Sequence, residues 1–392
     1  MYNIVTFYLI KEFYLSEITL ILLGAGSASR FALPPKKQWL WSGSTPLWLQ
    51  VTNNFQDVYN FKETIIVSSQ DDIHSMSNFS EHSFVLGGSS RQESLKNALE
   101  KVSTPFVLVS DIARCCLDVE MIKRVISAKK NKTCVVPTLN MVDTLYLEGE
   151  PIDREKVKII QTPQLSCTAT LKKALESNEE FTDDSSAIAS QGGEVIFVEG
   201  STKAHKLTTV EDLKKLPCIQ RPSSRALTGF GIDIHPFEEG KQMVLCGVEI
   251  ESSFGFKAHS DGDVAIHALI DALLGAAGLG DIGEFYPDTS DEYKGADSKE
   301  LLKDTVKRLS DLGYVIGNVD LTIIAQTPRL LNYKKTMRFR LATLLNLTPN
   351  LVNIKATTAE KLGWIGRKEG VAVEAVATLY YYDWTQHENY HN

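Results

Sequence analysis

Cysteine is scarce, six in 392 residues, and no two of Cys115, Cys116, Cys134, Cys167, Cys218 and Cys246 form a CxxC pair. In a chain this long that pattern argues against a thiolate zinc site and for reduced thiols rather than disulfides, so a cytoplasmic location is expected. Positive charge is not in surplus: 41 Lys and Arg against 49 Asp and Glu leave a formal charge of −8. A chain of that sign has no general affinity for nucleic acid or an anionic membrane, so an anionic substrate must be held by local basic clusters. A long uninterrupted apolar run is also missing. The start, MYNIVTFYLIKEFYLSEITL, comes nearest, but Lys11 and Glu12 interrupt it and it lacks the basic n-region and cleavage motif of a signal peptide. Residues 1–16 therefore read as an extension ahead of the first domain. No internal repeat is found.

What is present is ordinary globular composition, 43% hydrophobic and 23% charged, over a length that suits two domains. From 17 to 217, apolar runs (ITLILLG, ETIIVSS, HSFVLGG, FVLVSD, TCVVPT, EVIFVEG) alternate with helical patterns such as QESLKNALEKV and VEMIKRVISAKK. That alternation predicts an α/β domain with a mostly parallel, Rossmann-like sheet. The stretch 218–226 reads as a linker, and 227–384 as a second, α+β domain with helices at 263–276, 297–312 and 334–346 on one face of its sheet. Residues 385–392 read as a solvated tail.

The stretch LILLGAGSASRFALPPKKQW runs from a strand into a GxG turn but has no third glycine. Gly24 and Gly26 would let backbone N–H groups approach phosphates, and Arg30, Lys36 and Lys37 add three cations within eight positions. A dinucleotide needs little such charge. A triphosphate that loses pyrophosphate needs it at the leaving group, so the loop favours nucleotidyl transfer over hydride transfer. In FVLVSDIAR, Asp111 ends a buried strand, where a carboxylate calls for a cation or metal.

With GGSSRQESL, TPQ, TDDSS and HKLTTVEDL, these motifs make the first domain resemble the 2-C-methyl-D-erythritol 4-phosphate cytidylyltransferases of non-mevalonate isoprenoid biosynthesis. The resemblance implies transfer of CMP from CTP to methylerythritol phosphate. It implies that Arg30 and Lys37 stabilise the α-phosphate, that Gly88, Arg91 and Ser94 hold cytidine, and that Asp111 binds magnesium. It also implies that Thr144, Arg154 and Lys206 hold methylerythritol phosphate, and that this half dimerises. The chain departs from the family in reading DIARC for DAARP, with Ile112 and Cys115 replacing a small residue and a proline.

The second domain carries a metal set readable from spacing. GFGIDIHPF places Asp233 and His235 on one face of a strand, and KAHSDGDVAIHALIDALLG places Asp263, His267 and Asp271 along one face of a helix. Asp233, His235 and His267 make a chemically sensible zinc set with an open position, Asp271 reads as a supporting or substrate-contacting carboxylate, and His259 as a phosphate contact. Asp288 and Asp291 read as loop caps. With GADS, AQTPRL and IKATTAEKLGW, this half resembles the 2-C-methyl-D-erythritol 2,4-cyclodiphosphate synthases. That implies a homotrimer with sites between subunits, and CMP displaced from a CDP group by the substrate's own phosphate. It further implies magnesium or manganese on Glu360, ribose on Asp281, cytosine on the loop holding Ala325, Thr327 and Arg329, and phosphate on Thr357 and Thr358.

The expected protein is thus a bifunctional enzyme, nucleotidyltransferase and phosphorus–oxygen lyase, with a separate kinase acting between its steps and a hexamer reconciling dimer with trimer. The residues leave two alternatives open: a synthase fused to a transferase of different specificity, or to a degenerate oligomerising scaffold.

Overall fold

In the computed structural model, which describes residues 16–26, 30–177, 179–258, 261–287 and 295–389, the chain forms two compact units. The first comprises the chain up to Ala32 together with Thr45–Gln220; the second comprises Leu33–Ser44 and the chain from Arg221.

The first unit is built on strands β1 (Ile18–Leu23), β2 (Glu63–Ser68), β3 (Ser83–Leu86), β4 (Phe106–Asp111), β5 (Thr133–Asn140), β6 (Leu145–Leu147), β7 (Glu150–Ile152), β8 (Lys158–Ile160), β9 (Gln164–Cys167) and β10 (Glu194–Glu199). Every residue of β1 and β4 is buried, as expected for parallel strands covered on both faces. The sheet runs β8-β5-β9-β4-β1-β2-β3, with β10 also paired to β5, and the β1–β2, β1–β4, β2–β3 and β5–β10 pairs are parallel. Strand β9 lies antiparallel between β4 and β5. Sequence periodicity does not disclose it, because QLSC is short and two of its buried residues are polar. Helices α1 (Leu47–Val58), α2 (Gln70–Ser77), α3 (Arg91–Lys101), α4 (Val119–Ser127), α5 (Thr168–Ala174) and α6 (Asp184–Ser190) complete the unit. Four of them start where Ser69, Ser90, Asp118 and Asp183 accept a backbone N–H from the first turn.

One expectation is corrected here. Cys116 and Cys218 form a disulfide, with Cα atoms 5.4 Å apart and 102 residues between them in sequence, whereas free thiols were expected throughout. The pairing is invisible to local spacing because only the fold brings the two together. Cys134, Cys167 and Cys246 are free.

The second unit contains β11 (Leu227–Glu239), β12 (Phe254–Phe256), α7 (Val264–Ala277), α8 (Ile282–Phe285), α9 (Ser298–Asp311), β13 (Tyr314–Ile324), α10 (Lys334–Leu344), β14 (Val352–Thr357) and β15 (Gly370–Tyr381). Its main sheet runs β12-β11-β15-β13-β14, antiparallel except for β13–β14. The Leu33–Ser44 segment belongs to this unit by its packing. The Lys36 N–H donates to the Asp311 carbonyl at 2.9 Å, Trp41 Nε1 donates to the Leu312 carbonyl at 2.9 Å, and the Trp41 ring stacks on Tyr381 at 4.2 Å.

Alternation along β11 decides which residues face α7. Phe230, Ile232 and Ile234 point away and are 58%, 49% and 50% exposed, while Gly229 and Gly231 face the helix. A Cβ on Gly231 would lie 2.1 Å from the Ala268 carbonyl oxygen, and one on Gly229 would lie 2.1 Å from that of Ala272. The helix backbone therefore rests directly on the strand. Since these neighbours are backbone atoms, they cannot swing aside. Gly231→Ala is expected to destabilise the second unit by at least about 1–3 kcal/mol, measured as a lowered melting transition for that unit.

Candidate functional site

In the first unit, Asp111 ends β4 at the carboxyl edge of the parallel strands, where such sheets bind ligands. Lys206 Nζ lies 2.7 Å from its Oδ2 and Arg91 Nε 3.8 Å from its Oδ1. Arg91 also donates through Nη1 to Asp184 at 2.9 Å, so its guanidinium bridges two carboxylates. Burial pushes the Asp111 carboxyl up, but Lys206 and Arg91 outweigh it and hold the group below its ordinary range. Burial likewise opposes the Arg91 charge, and Asp184 and Asp111 more than restore it. Asp183 accepts from Gln164 Nε2 at 2.8 Å and caps α6, which holds Asp184 in place.

Two groups here escaped sequence reasoning. Arg114 donates to the Ala204 carbonyl at 2.7 Å and its charge acts on Asp111; Asp184 is buried against Arg91. Both lie in motifs already singled out, DIAR and TDDSS, but a charged residue in a motif does not reveal its partner.

Other expected residues are placed differently. The Gly24 N–H donates to the Val67 carbonyl at 2.8 Å, and a Cβ there would meet Ile112 Cδ1 at 2.5 Å. Its role is thus a tight packing contact, with its N–H unavailable to a phosphate, contrary to expectation. A Cβ on Gly26 would meet nothing within 4 Å among the described residues, and Arg30 is exposed. Ser94 Oγ accepts from the Gly88 N–H at 3.0 Å, which fixes the glycine turn ahead of α3. Thr144 and Arg154 are exposed beside the β6–β7 hairpin, where Arg154 donates to the Val142 carbonyl. Lys37 opens a short 3-10 turn in the segment grouped with the second unit, so the first unit alone does not gather it with Asp111.

The second unit brings Asp233, His235 and His267 together, one donor atom from each lying within 4.8 Å of the others. His235 Nε2 is 3.0 Å and His267 Nδ1 3.3 Å from Asp233 Oδ2. Their tautomers follow from the groups behind them. His235 Nδ1 is 2.9 Å from the Gly262 carbonyl, which only accepts, so the proton is on Nδ1 and the Nε2 lone pair faces Asp233. The Ser298 hydroxyl donates to Asp261 Oδ1 at 2.5 Å and therefore accepts from His267 Nε2 at 3.0 Å, leaving the Nδ1 lone pair facing Asp233. Two nitrogen lone pairs and a carboxylate oxygen turned towards each other repel unless a cation lies among them, and Asp233 Oδ2 is buried with no hydrogen-bond donor. The donor set thus fits a metal such as zinc. Where no cation lies among them a ring proton can take its place: burial raises the Asp233 carboxyl and lowers His235, but the attraction between carboxylate and imidazole outweighs burial, holding Asp233 far below its ordinary value and raising His235.

Neither other carboxylate on the helix side joins the set. Asp263 is fully buried and accepts N–H bonds from Cys246, Gly247 and Ile266, so it caps α7. Asp271 accepts from the Ile282 N–H at 2.8 Å and anchors α8. Asp281 caps α8 through Gly283 and Glu284. Glu360 stands in an exposed turn with φ +48° and accepts from Thr358 Oγ1 at 2.8 Å. Close by, Thr357 accepts the Ala325 N–H through its carbonyl, and Gln326 accepts the Lys361 N–H. Thr327 precedes a cis proline and Arg329 is exposed. His259, Asp288 and Asp291 lie outside the described residues.

A cation-lined carboxylate at the edge of a parallel sheet, followed by a histidine–carboxylate metal set in a separate unit, defines a two-part enzyme of phosphate chemistry. A family model described as 2-C-methyl-D-erythritol 4-phosphate cytidylyltransferase matches residues 18–220, and the YgbB family model matches 226–380. A bifunctional enzyme IspD/IspF of Sulfurovum sp. (strain NBC37-1) is 63% identical over 94% of this chain and 99% of that protein. Another, of Sulfurimonas denitrificans, is 54% identical over 98% of this chain and 100% of that one. The solved structure of the bifunctional IspDF from Campylobacter jejuni matches with a TM-score of 0.82 at 48% identity, over 94% of this chain and 100% of that one. The chain belongs to the bifunctional IspD/IspF family. It is a bifunctional, metal-dependent enzyme, a cytidylyltransferase joined to a cyclodiphosphate synthase, and neither alternative for the first half finds support. No described helix is long and apolar enough to cross a membrane.

The hydroxyl behind His267 yields a direct test. Ser298→Ala removes the acceptor that orients the ring, and zinc affinity measured by chelator competition is expected to fall about 10- to 100-fold.

Proposed function

We propose that the first unit transfers CMP from CTP to 2-C-methyl-D-erythritol 4-phosphate at the Asp111 cluster, and that the second cyclises CDP-methylerythritol 2-phosphate to the 2,4-cyclodiphosphate with loss of CMP at the Asp233–His235–His267 set. The observation that carries this reading is the presence of two separate charged clusters, one in each unit, each suited to a phosphorylated substrate.

In transfer, the phosphate of methylerythritol phosphate attacks the α-phosphorus of CTP and pyrophosphate leaves. Lys206 and Arg114, beside Asp111, offer cations to the incoming phosphate, while Asp111 is held ionised to take magnesium. Arg30 and Lys37 are assigned to the α-phosphate and Gly88, Arg91 and Ser94 to the cytidine on the motif match. Thr144 and Arg154, on an arm that exposes Val142, Tyr146 and Leu147, are assigned to the methylerythritol phosphate of a dimer partner.

In cyclisation, the 2-phosphate attacks the β-phosphorus and CMP leaves. Zinc on Asp233, His235 and His267, with magnesium or manganese on Glu360, would supply Lewis-acid polarisation and charge compensation to the diphosphate. The chain's own contribution is to hold both phosphates of one molecule in line, which turns an encounter of two anions into an intramolecular step. His259, Thr357 and Thr358 are assigned to phosphate, Asp281 to the ribose, and Ala325, Thr327 and Arg329 to cytosine. His235 pairs with Val371 on β15, and Ile324 with Ala372 and Thr357, so Thr357 lies three strand spacings from the triad, roughly 14 Å. That separation supports a site completed by a neighbouring subunit, and the exposed Phe230, Ile232 and Ile234 face supports a trimer.

A hexamer satisfies dimer and trimer contacts together. The first product must be phosphorylated before the second site can use it, so a separate kinase acts between the steps, in the cytoplasm. Lys37→Ala should lower pyrophosphate release from CTP and methylerythritol phosphate by about 10²-fold or more while cyclisation continues. His267→Ala should lose zinc by metal analysis and lose cyclisation while retaining transfer. Equal loss of both activities in either variant would falsify the two-site assignment.

A further inference from the structure

The segment Asp111–Cys116 has the carboxylate of the first site at one end and two cysteines at the other. It lies against the chain between Ala204 and Cys218. Lys206 Nζ reaches Asp111 at 2.7 Å, the Leu207 N–H donates to the Ala113 carbonyl at 2.8 Å, and Arg114 Nη1 donates to the Ala204 carbonyl at 2.7 Å. The Cys116–Cys218 bond closes the same seam covalently. A third sulfur stands beside it, since Cys115, Cys116 and Cys218 have their sulfur atoms within 4.8 Å of one another. The remaining described cysteines, Cys134, Cys167 and Cys246, lie outside this group.

We propose that Cys116 and Cys218 form a thiol–disulfide switch on the transferase site. The bonded form holds the Asp111–Arg114 segment against Lys206; the reduced form loosens that seam and slows transfer. The inference rests on the assignment of the transferase site to Asp111 and Lys206. Disulfides in reducing compartments are typically transient and regulatory, and here the bond links the two segments that carry the charges of one active site. The second unit contains none of the three cysteines, so cyclisation is an internal control.

The chemistry balances with a small-molecule disulfide as oxidant. Cys218 is the more accessible of the pair, Cys116 being 6% exposed. The Cys218 thiolate attacks one sulfur of the small disulfide and expels a small thiolate, and the Cys116 thiolate then attacks the Cys218 sulfur and expels the second. Two protein thiols are oxidised to one disulfide, and one small disulfide is reduced to two thiols. A small dithiol or two small thiols reverse the sequence.

The test uses the full-length chain, equilibrated in glutathione buffers from fully reduced to fully oxidised, quenched with acid, alkylated and weighed. Two alkylatable thiols are expected to disappear on oxidation, mapped by peptide mass to Cys116 and Cys218. Pyrophosphate release should rise by roughly 2- to 30-fold with the same midpoint, the span of couplings transmitted through packed networks, while cyclisation stays flat. Cys218→Ser should remove the redox response and show the rate of the reduced wild type. A constant thiol count, or a transfer rate indifferent to the bond, overturns the switch. So does stoichiometric zinc on the three thiols, which would make the cluster a metal site. An absence of pyrophosphate release in every redox state overturns the transferase assignment itself, and the thiol count then still reports whether the bond forms.

Discussion

Helix α7 rests on strand β11 with no side chain between them at Gly229 and Gly231, and the metal set of the second unit depends on that closeness. Asp233 and His235 continue the face of the strand that the glycines open. His267 lies one turn into a helix whose start is set by Asp263, a buried carboxylate that burial pushes up in pKa and three backbone N–H groups hold in place. A larger residue at Gly231 would lift the helix and carry His267 away from its partners. The ligands are thus positioned by a backbone contact and a helix cap that themselves touch no substrate.

The first unit is governed by charge rather than closeness. Asp111, Asp183 and Asp184 lie with Arg91, Arg114 and Lys206, so carboxylates and cations are matched in this cluster. Each carboxylate is buried because a cation meets it, and each cation is oriented because a carboxylate or carbonyl holds it. With the charges matched, a metal bound at Asp111 would tip the balance towards a phosphorylated substrate.

Much of this was legible in the chain. The six apolar runs of the first half are strands, and the three long helices of the second fall within two residues of their expected bounds. That Asp233, His235 and His267 come together could be read because a strand period of two and a helical turn are local rules. Less legible were features that join distant segments: β9, whose buried Gln164 and Ser166 hide it; the Cys116–Cys218 bond across 102 residues; and the Arg91–Asp184 pair. At Gly24 the sequence suggests a phosphate contact, whereas in the fold its N–H meets Val67 and its missing Cβ makes room for Ile112.

By itself the sequence determined the class of each half, the order of the elements and which residues make up the Asp233–His235–His267 cluster, because these depend on residue type and short periodicity. Tertiary structure decided which partner each charged group meets, and which tautomer His235 and His267 present. It also decided that the Leu33–Ser44 segment, with Lys37, packs in the second unit. Those outcomes turn on distances between residues far apart in the chain, set by how closely strands, helices and loops approach, and no local pattern encodes them.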